Sequence, residues 1–390
     1  MSFLIRKIIY LSTWIISFFI PRNKKKLILG AWFGQEYGDN TKYFLRYLLK
    51  NYKGCFDITW VCKSEAVLCK INEEFGGEVR VVLSGKPRAF YHQLRAAFFF
   101  TVTGRADVDY HLLGGATHIE LWHGIPLKKI NYDTYTSSGK RLRRIAEFLH
   151  KKKYFVVGPS KGLIKTYCSA FDIEEEKILN IGQCRTDVFF DNSLEFETLP
   201  DILKGKYILY MPTHRYEGNV IFKFDDLLDL EFIDSLCESL GCKFVIKKHF
   251  YHKENNPELN RFSNIVDITD MKIDPLILLK HSQALITDYS SCYIDYLLIG
   301  KPIIFYCYDL ENYIENERGL YRQFEDAIPS EPVFNKYSLN LKLNTIFECE
   351  KSDKYISTCL FYHDKFPGIN YYQSSSEKLV SLLFSGSIKK

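Results

Sequence analysis

The chain has 390 residues, 46% hydrophobic and 16% aromatic, which is enough apolar material for two cores and excludes a disordered chain. That length predicts two domains of roughly 150–200 residues. The net charge of +5 is concentrated at one end: Arg6, Lys7, Arg22, Lys24, Lys25 and Lys26 all precede the first acid, Glu36, and without these six the remaining 46 basic residues face 47 acidic ones. A neutral body argues against a nucleic-acid partner, because such binders carry their basic excess on the folded domain.

Eleven cysteines are scattered without a Cys-x-x-Cys pair. They read as reduced thiols of a cytosolic protein. Zinc-type ligand spacing is missing, so no metal site and no cofactor is expected.

Residues 1–25 form the first predicted element. Ile8 to Ile20 are almost wholly apolar and stop at Pro21. Thirteen helical residues reach about 20 Å, against about 30 Å of bilayer hydrocarbon. Arg6, Tyr10, Thr13 and Ser17 share one helical stripe, and a basic Arg-Asn-Lys-Lys-Lys run follows. The pattern predicts a helix lying in the membrane interface with the basic run facing anionic lipid. A true span and an ordinary buried first helix are the alternatives.

From Lys26 onward short apolar runs alternate with helical stretches. Predicted strands are Leu27–Leu29, Ile58–Cys62, Val79–Leu83, Ala97–Val102, His118–Leu121 and Tyr154–Val157, with helices at Thr41–Leu49 and Ser64–Phe75 between them. After a polar stretch, a second series runs through Tyr207–Met211, Lys243–Lys247, Ala284–Thr287 and Pro302–Tyr306. The alternation predicts an α/β protein of two Rossmann-like lobes, 26–195 and 196–390, with a cleft between them. Ligands of such folds bind beyond the carboxyl ends of the strands.

Polar motifs fall at those ends. In Glu120-Leu-Trp122-His123-Gly124-Ile-Pro126, a strand delivers a histidine to a Gly-Pro turn. Such a residue serves as a general base or as a structural histidine. Gly182-Gln-Cys-Arg185-Thr-Asp187 closes the first lobe and is expected to line the cleft. Pro212-Thr213-His214-Arg215 suits a phosphate grip, and Phe244–Lys248 is another strand run, ending in His249; for both, polar residues at the surface after a buried strand are the alternative. The clearest motif is Ala284 to Pro302. Its strand ends at Thr287, a turn of Asp288, Tyr289, Ser290 and Ser291 follows, and a helix is predicted from about Ser291 to Ile299. The first-turn N–H groups and the two hydroxyls make an anion site or serve plain capping. Asp295, about one turn on, is placed to support a diphosphate or a ribose. Lys128 to Lys165 holds eleven Lys/Arg and two acids, a face for membrane or an anionic acceptor, or a solvated helix face.

Trp122-His123-Gly124-x-Pro126-Leu127-Lys128, Pro212-Thr213-x-Arg215, His249, Ile286-Thr287-Asp288-Tyr289-Ser290-Ser291, Lys301-Pro302-Ile303-Ile304-Phe305-Tyr306, Tyr308-Asp309-Leu310-x-x-Tyr313 and Glu317-Arg318-Gly319 occur in this order. Together, over roughly residues 26 to 370, they resemble the CDP-glycerol glycerophosphotransferase family of teichoic-acid and capsule synthesis. The resemblance implies a glycosyltransferase-B type fold attached peripherally to the cytoplasmic face of the bacterial membrane. It also implies functional roles for His123 and His249. The implied reaction is attack of an acceptor hydroxyl on the β-phosphorus of CDP-glycerol, or of CDP-ribitol, with release of CMP. The implied acceptor is a polyprenyl-linked saccharide or growing polymer, and no dedicated metal cage is implied. His214, Phe250 and Cys184 depart from the family's usual aromatic residue, proline and proline. The chain resembles the short, primase-like members. A sugar-nucleotide glycosyltransferase of the same fold and a non-catalytic assembly protein are the competing readings.

Overall fold

The computed structural model describes residues 3–134, 149–213, 224–248, 256–316, 319–348, 351–365, 373–386 and 388. The chain divides into two compact units. Unit 1 comprises 1–123, 131–190 and 371–390, and unit 2 comprises 124–130 and 191–370.

Unit 1 is built on seven parallel strands: β1 (Asn23–Leu29), β2 (Asp57–Cys62), β3 (Arg80–Leu83), β4 (Ala96–Thr101), β5 (Thr117–Glu120), β6 (Tyr154–Gly158) and β7 (Ile178–Asn180), in the order β3-β2-β1-β4-β5-β6-β7. Helices α1 (Phe3–Ser17), α2 (Asp39–Asn51), α3 (Glu65–Phe75) and α4 (Pro87–Arg95) belong to the same unit. The strands read as near-continuous apolar runs because both faces of a parallel sheet are covered. Ile28, Val61, Val82 and Phe99 pack with Ala89 of α4 and with Val108 and Leu113 in one core cluster.

Unit 2 carries five parallel strands: β8 (Tyr207–Met211), β9 (Lys243–Ile246), β10 (Ile265–Asp267), β11 (Ala284–Thr287) and β12 (Ile303–Phe305), in the order β10-β9-β8-β11-β12. Its core joins Ile208, Tyr210, Phe244, Ile246, Ile286 and Ile304 of four strands to Leu230, Ile233 and Cys237 of the helix Leu230–Leu240. In both sheets the order reverses beside the first strand of the unit, between β1 and β4 and between β8 and β11. Those are the switch points where such sheets bind ligands.

The main cut falls between 190 and 191 rather than between 195 and 196, and two segments depart from a single cut. First, the helix Ser375–Ser385 returns to unit 1. The buried Asp187 carboxylate explains this, since it accepts the backbone N–H groups of Ser375 and Ser376 at 2.9 Å and the Ser374 hydroxyl at 2.7 Å. A carboxylate at the first turn of a helix satisfies its orphan donors and its dipole. Second, residues 124–130 join unit 2, where Lys129 N donates to Gly319 O and Tyr321 N donates to Leu127 O.

Residues 3–25 are not a separate arm. Trp14 and Ser17 of α1 are buried, and a Cβ on Gly114 would lie 2.3 Å from the Trp14 carbonyl oxygen. Only glycine permits that approach. Arg22 donates to the carbonyls of Gln93, Ala96, Ser17, Leu112 and Gly114, and Lys26 pairs with Asp57. Two members of the basic run expected to face lipid are therefore spent inside unit 1, because both ends of the run are caught by β1 and its neighbours. The outward side of α1 keeps Ile8, Ile9, Ile15, Ile16 and, just beyond it, Phe19 exposed. Among the described residues no helix is long and apolar enough to cross a membrane.

Candidate active site

In unit 1 the strand β5 ends at Glu120, and the next residues turn sharply. Trp122 takes a left-handed φ of 59°, and Gly124 has φ 139°. His123 between them is held from several sides. Its Nδ1 lies 2.7 Å from the carbonyl oxygen of Val102, just past β4. A carbonyl only accepts, so Nδ1 carries the hydrogen of the neutral ring and Nε2 keeps a lone pair. The ring lies 4.1 Å from that of Trp122 and 5.0 Å from that of Trp32. Burial pushes the His123 pKa below the usual histidine value, against opposing pulls from Asp39 and the Val102 bond. The neutral base is thus the resting form.

The backbone around His123 is clamped. Arg185 donates to the His123 carbonyl at 2.9 Å and to Asp39 Oδ1 at 3.1 Å. The Asn40 side chain donates to the Trp122 carbonyl at 2.8 Å and accepts Arg185 N at 2.9 Å. Asp107, fully buried, accepts Val102 N and Thr103 N at 2.8 Å and Phe33 N at 2.7 Å. Trp32, Phe33, Asp39 and Trp122 all sit at positive φ. Non-glycine residues in that region cost energy and gather at functional sites. Arg185 therefore acts here as a tie on the histidine loop.

Behind that loop runs a buried polar chain. Glu120 accepts the Thr101 hydroxyl at 2.7 Å, Thr101 Oγ1 lies 2.7 Å from His118 Nε2, and His118 Nδ1 lies 2.9 Å from His150 Nε2. Burial, with Asp107 nearby, pushes Glu120 up to about 8. Burial pushes His118 well down and His150 down to about 3.

In unit 2 the motif from Thr287 to Ser291 ends β11. Thr287 Oγ1 donates to the Met211 carbonyl at 2.7 Å. Asp288 Oδ1 accepts Thr213 N at 2.8 Å, Thr213 Oγ1 at 2.5 Å and Tyr289 N at 2.6 Å. These bonds tie the ends of β8 and β11 together across the switch point. Tyr289 is stacked on Tyr313 at 3.7 Å and donates to Asp309 at 2.9 Å. Thr287, Asp288 and Tyr289 are buried, and Ser290 and Ser291 are half-buried. The Ser290 hydroxyl accepts Cys292 N at 3.4 Å, whereas Ser291 makes no side-chain cap bond. The helix that follows spans Cys292–Leu297, shorter than expected. Asp295 is buried on it.

The structure brings Trp122, His123 and Arg185 together in unit 1, and Thr213, Thr287, Asp288, Tyr289, Ser290 and Ser291 in unit 2. Gly124 begins the stretch that joins unit 2. Arg215, His214, His249 and Phe250 lie outside the described residues. Sequence reasoning missed Trp32, Asp39, Asn40 and Asp107. Their signal was position: each follows the end of β1 or β4. Among the described residues no group of three or more His, Cys, Asp or Glu side chains is placed to hold a metal ion.

Two parallel α/β units, each with its polar groups at the switch point, define a protein of the glycosyltransferase-B type. A solved structure of the wall teichoic acid polymerase TagF superposes with a TM-score of 0.72 at 22% identity, covering 99% of this chain and 94% of that one. The family model for CDP-glycerol:poly(glycerophosphate) glycerophosphotransferases matches residues 13–385, and the chain belongs to that family. A teichoic acid glycerol-phosphate transferase of Staphylococcus aureus is 27% identical over 90% of this chain and 91% of its own length. A teichoic acid poly(glycerol phosphate) polymerase of Staphylococcus epidermidis is 25% identical over 90% of this chain, which spans 49% of that longer protein.

Proposed function

We propose that the protein transfers glycerol phosphate, or a related alditol phosphate, from CDP-glycerol to a hydroxyl of a membrane-held acceptor in teichoic-acid or capsule synthesis. The observation that carries this reading is His123, held through Nδ1 so that the lone pair of a base stays on Nε2. The acceptor oxygen attacks the β-phosphorus, its proton passes to His123 Nε2, and the bond from that phosphorus to the bridging oxygen breaks. CMP leaves with the bridging oxygen. Positioned base catalysis of this kind contributes about 10²–10⁴-fold.

In this reading the turn Ser290–Ser291 receives the diphosphate, with Thr213 beside it, while Thr287, Asp288 and Tyr289 hold the turn and Asp295 supports it. Arg215 and His249 neutralise charge on the transferring phosphoryl group. The reaction uses no resident cofactor, and the CDP-alditol enters as substrate. The acceptor is a polyprenyl-linked saccharide or a growing polymer. Exposed isoleucines on α1 support attachment to the cytoplasmic face of the membrane, because an apolar helix face of this kind lies in the lipid interface.

The test is turnover of purified protein with CDP-glycerol, CDP-ribitol, UDP-N-acetylglucosamine and GDP-mannose, read as nucleotide release and product mass. CMP release with an alditol-phosphate product is expected. Turnover of a UDP- or GDP-sugar with none of a CDP-alditol overturns the reading.

A further inference from the structure

A cavity of about 530 Å³ opens in unit 1 between α1 and the loop that follows β4. Tyr10, Leu11 and Trp14 of α1 line it, together with Arg105, Val108 and Tyr110 of that loop. Lys63, directly after β2, and Ser84, directly after β3, line it as well. The cavity thus lies at the carboxyl edge of the sheet, the edge where His123 sits.

Its chemistry is amphiphilic. Two cations line it: Lys63, whose ammonium donates to the Ala106 carbonyl at 2.9 Å, and Arg105, whose guanidinium lies 4.9 Å over the Tyr110 ring. Among the described residues neither forms an ion pair. The carboxylate at the cavity, Asp109, is already engaged by Ser84 Oγ at 2.5 Å, Gln93 Nε2 at 2.8 Å and Gly85 N at 3.3 Å. The α1 wall is apolar, and the same helix exposes Ile8, Ile9, Ile15 and Ile16 on its outer side. A ligand of this cavity needs an anionic head and an apolar tail that continues toward α1.

The loop ties the cavity to the base. Its start, Val102, accepts the His123 ring hydrogen, and Asp107 pins Val102, Thr103 and Phe33. Its continuation, Arg105 to Tyr110, is the cavity wall. A molecule seated there by a lipid phosphate would project its headgroup along the edge that carries His123.

We infer that this cavity binds the lipid-diphosphate end of the acceptor, a single-chain prenyl diphosphate, with Lys63 and Arg105 on the diphosphate and Leu11, Trp14 and Val108 along the first isoprene units. The inference rests on the transferase reading only for the word acceptor; the site itself is testable alone.

Farnesyl diphosphate is the probe, titrated calorimetrically into the full chain in mild detergent, with farnesol and inorganic diphosphate as controls. Saturable binding of farnesyl diphosphate is expected, stronger than either control. Lys63→Ala with Arg105→Ala should weaken it at least tenfold and raise KM for lipid-linked acceptor, leaving CDP-glycerol affinity and vesicle flotation as in the parent. Lys63→Glu, at an exposed position, repeats the test should the double variant fail to fold. Equal binding by parent and variant, or no binding by the parent, overturns the inference. Loss of flotation in step with probe binding also overturns it, by assigning the two cations to phospholipid headgroups. Probe binding without any CDP-alditol turnover would instead keep the site and remove the transferase reading.

Discussion

The Nδ1 of His123 and the carbonyl oxygen of Val102 lie 2.7 Å apart, and this contact decides which nitrogen of the ring can accept a proton. His123→Ala should lower turnover by about 10²–10⁴-fold, the range for a positioned base, with CDP-glycerol affinity little changed. His123→Gln, which keeps a donor but no base, should be equally inactive. Near-parental turnover in either variant removes His123 from the mechanism.

The pH profile should carry the signature of the same residue. Burial lowers the His123 pKa, so the base stays neutral below the ordinary histidine value and activity falls only as pH drops through the lowered one. Asp39 pulls that value upward and Arg185 pulls it down. Asp39→Asn should therefore move the acidic limb of kcat/KM to lower pH. An unmoved or rising limb would show that another group titrates there.

Asp39 and Arg185 also form an ion pair whose side chains are 9% and 11% exposed. Removing one partner of a buried pair costs about 3–5 kcal/mol. Arg185→Ala should lower stability on that scale and slow turnover, since the His123 carbonyl loses its donor. Arg185→Lys should not restore turnover, because one ammonium does not reproduce the fork of the guanidinium. Denaturation midpoints and kcat, measured together, check this.

Much of this architecture is legible in the chain. Tyr207–Met211 and Ala284–Thr287 coincide with β8 and β11, because short apolar runs between polar turns have few other ways to be buried. β7 and β10 are three-residue strands, too short to show a period. The clamp on His123 was beyond reach for a different reason. Arg185 N and Asn40 Oδ1 meet across 145 positions of sequence, and neither residue carries a local signal of that meeting. The left-handed Trp32, Phe33 and Trp122 are likewise invisible, since bulky residues give no hint of positive φ. The motif Thr287–Ser291 was legible as a unit but not in its division of labour. Burial assigns Asp288 to holding Thr213 and leaves Ser291 without a side-chain cap bond.

That division predicts two kinds of variant. Asp288→Ala strands the N–H groups of Thr213 and Tyr289, and each unsatisfied buried donor costs about 1–3 kcal/mol. Unit 2 should lose stability and donor affinity together. Ser291→Ala should cost little stability, yet weaken CDP binding. Calorimetric titration with CDP beside urea unfolding separates the two, and normal CDP affinity in Ser291→Ala would move the diphosphate elsewhere.

Stability should also depend on pH through the buried chain behind His123. Glu120, pushed up to about 8 from 4.5, binds a proton in the folded state that the unfolded chain releases, so its contribution falls as pH rises from 4.5 to 8. His118 and His150 act in the opposite sense. Both are pushed down, so the unfolded chain takes up protons first and stability falls as pH drops below 6.5. Glu120→Gln should remove the loss between 4.5 and 8 and leave the loss at low pH. Urea midpoints across pH 4 to 9 read this directly, and an unchanged slope in the variant would mean that Glu120 is ionised in the fold.

Membrane attachment should rest on the outward side of α1. Deleting the first 25 residues is a poor test of attachment, since Trp14 and Ser17 are buried and Arg22 holds five carbonyls. The deletion would strip unit 1 of part of its packing. The outward side offers a cleaner probe. Ile16 is 61% exposed and Phe19 83% exposed, so neither contributes much to the fold. Fully burying such a side chain in lipid yields about 1.5–3 kcal/mol, and two of them account for a large part of the binding of a single interfacial helix. Ile16→Glu with Phe19→Glu replaces that gain by the desolvation of two charges. The doubly substituted protein should keep its urea midpoint and its CDP-glycerol affinity, fail to float with anionic vesicles, and turn over lipid-linked acceptor poorly. Flotation equal to that of the parent protein would place the membrane contact on another surface, with the basic stretch between Lys128 and Lys165 the next to be substituted.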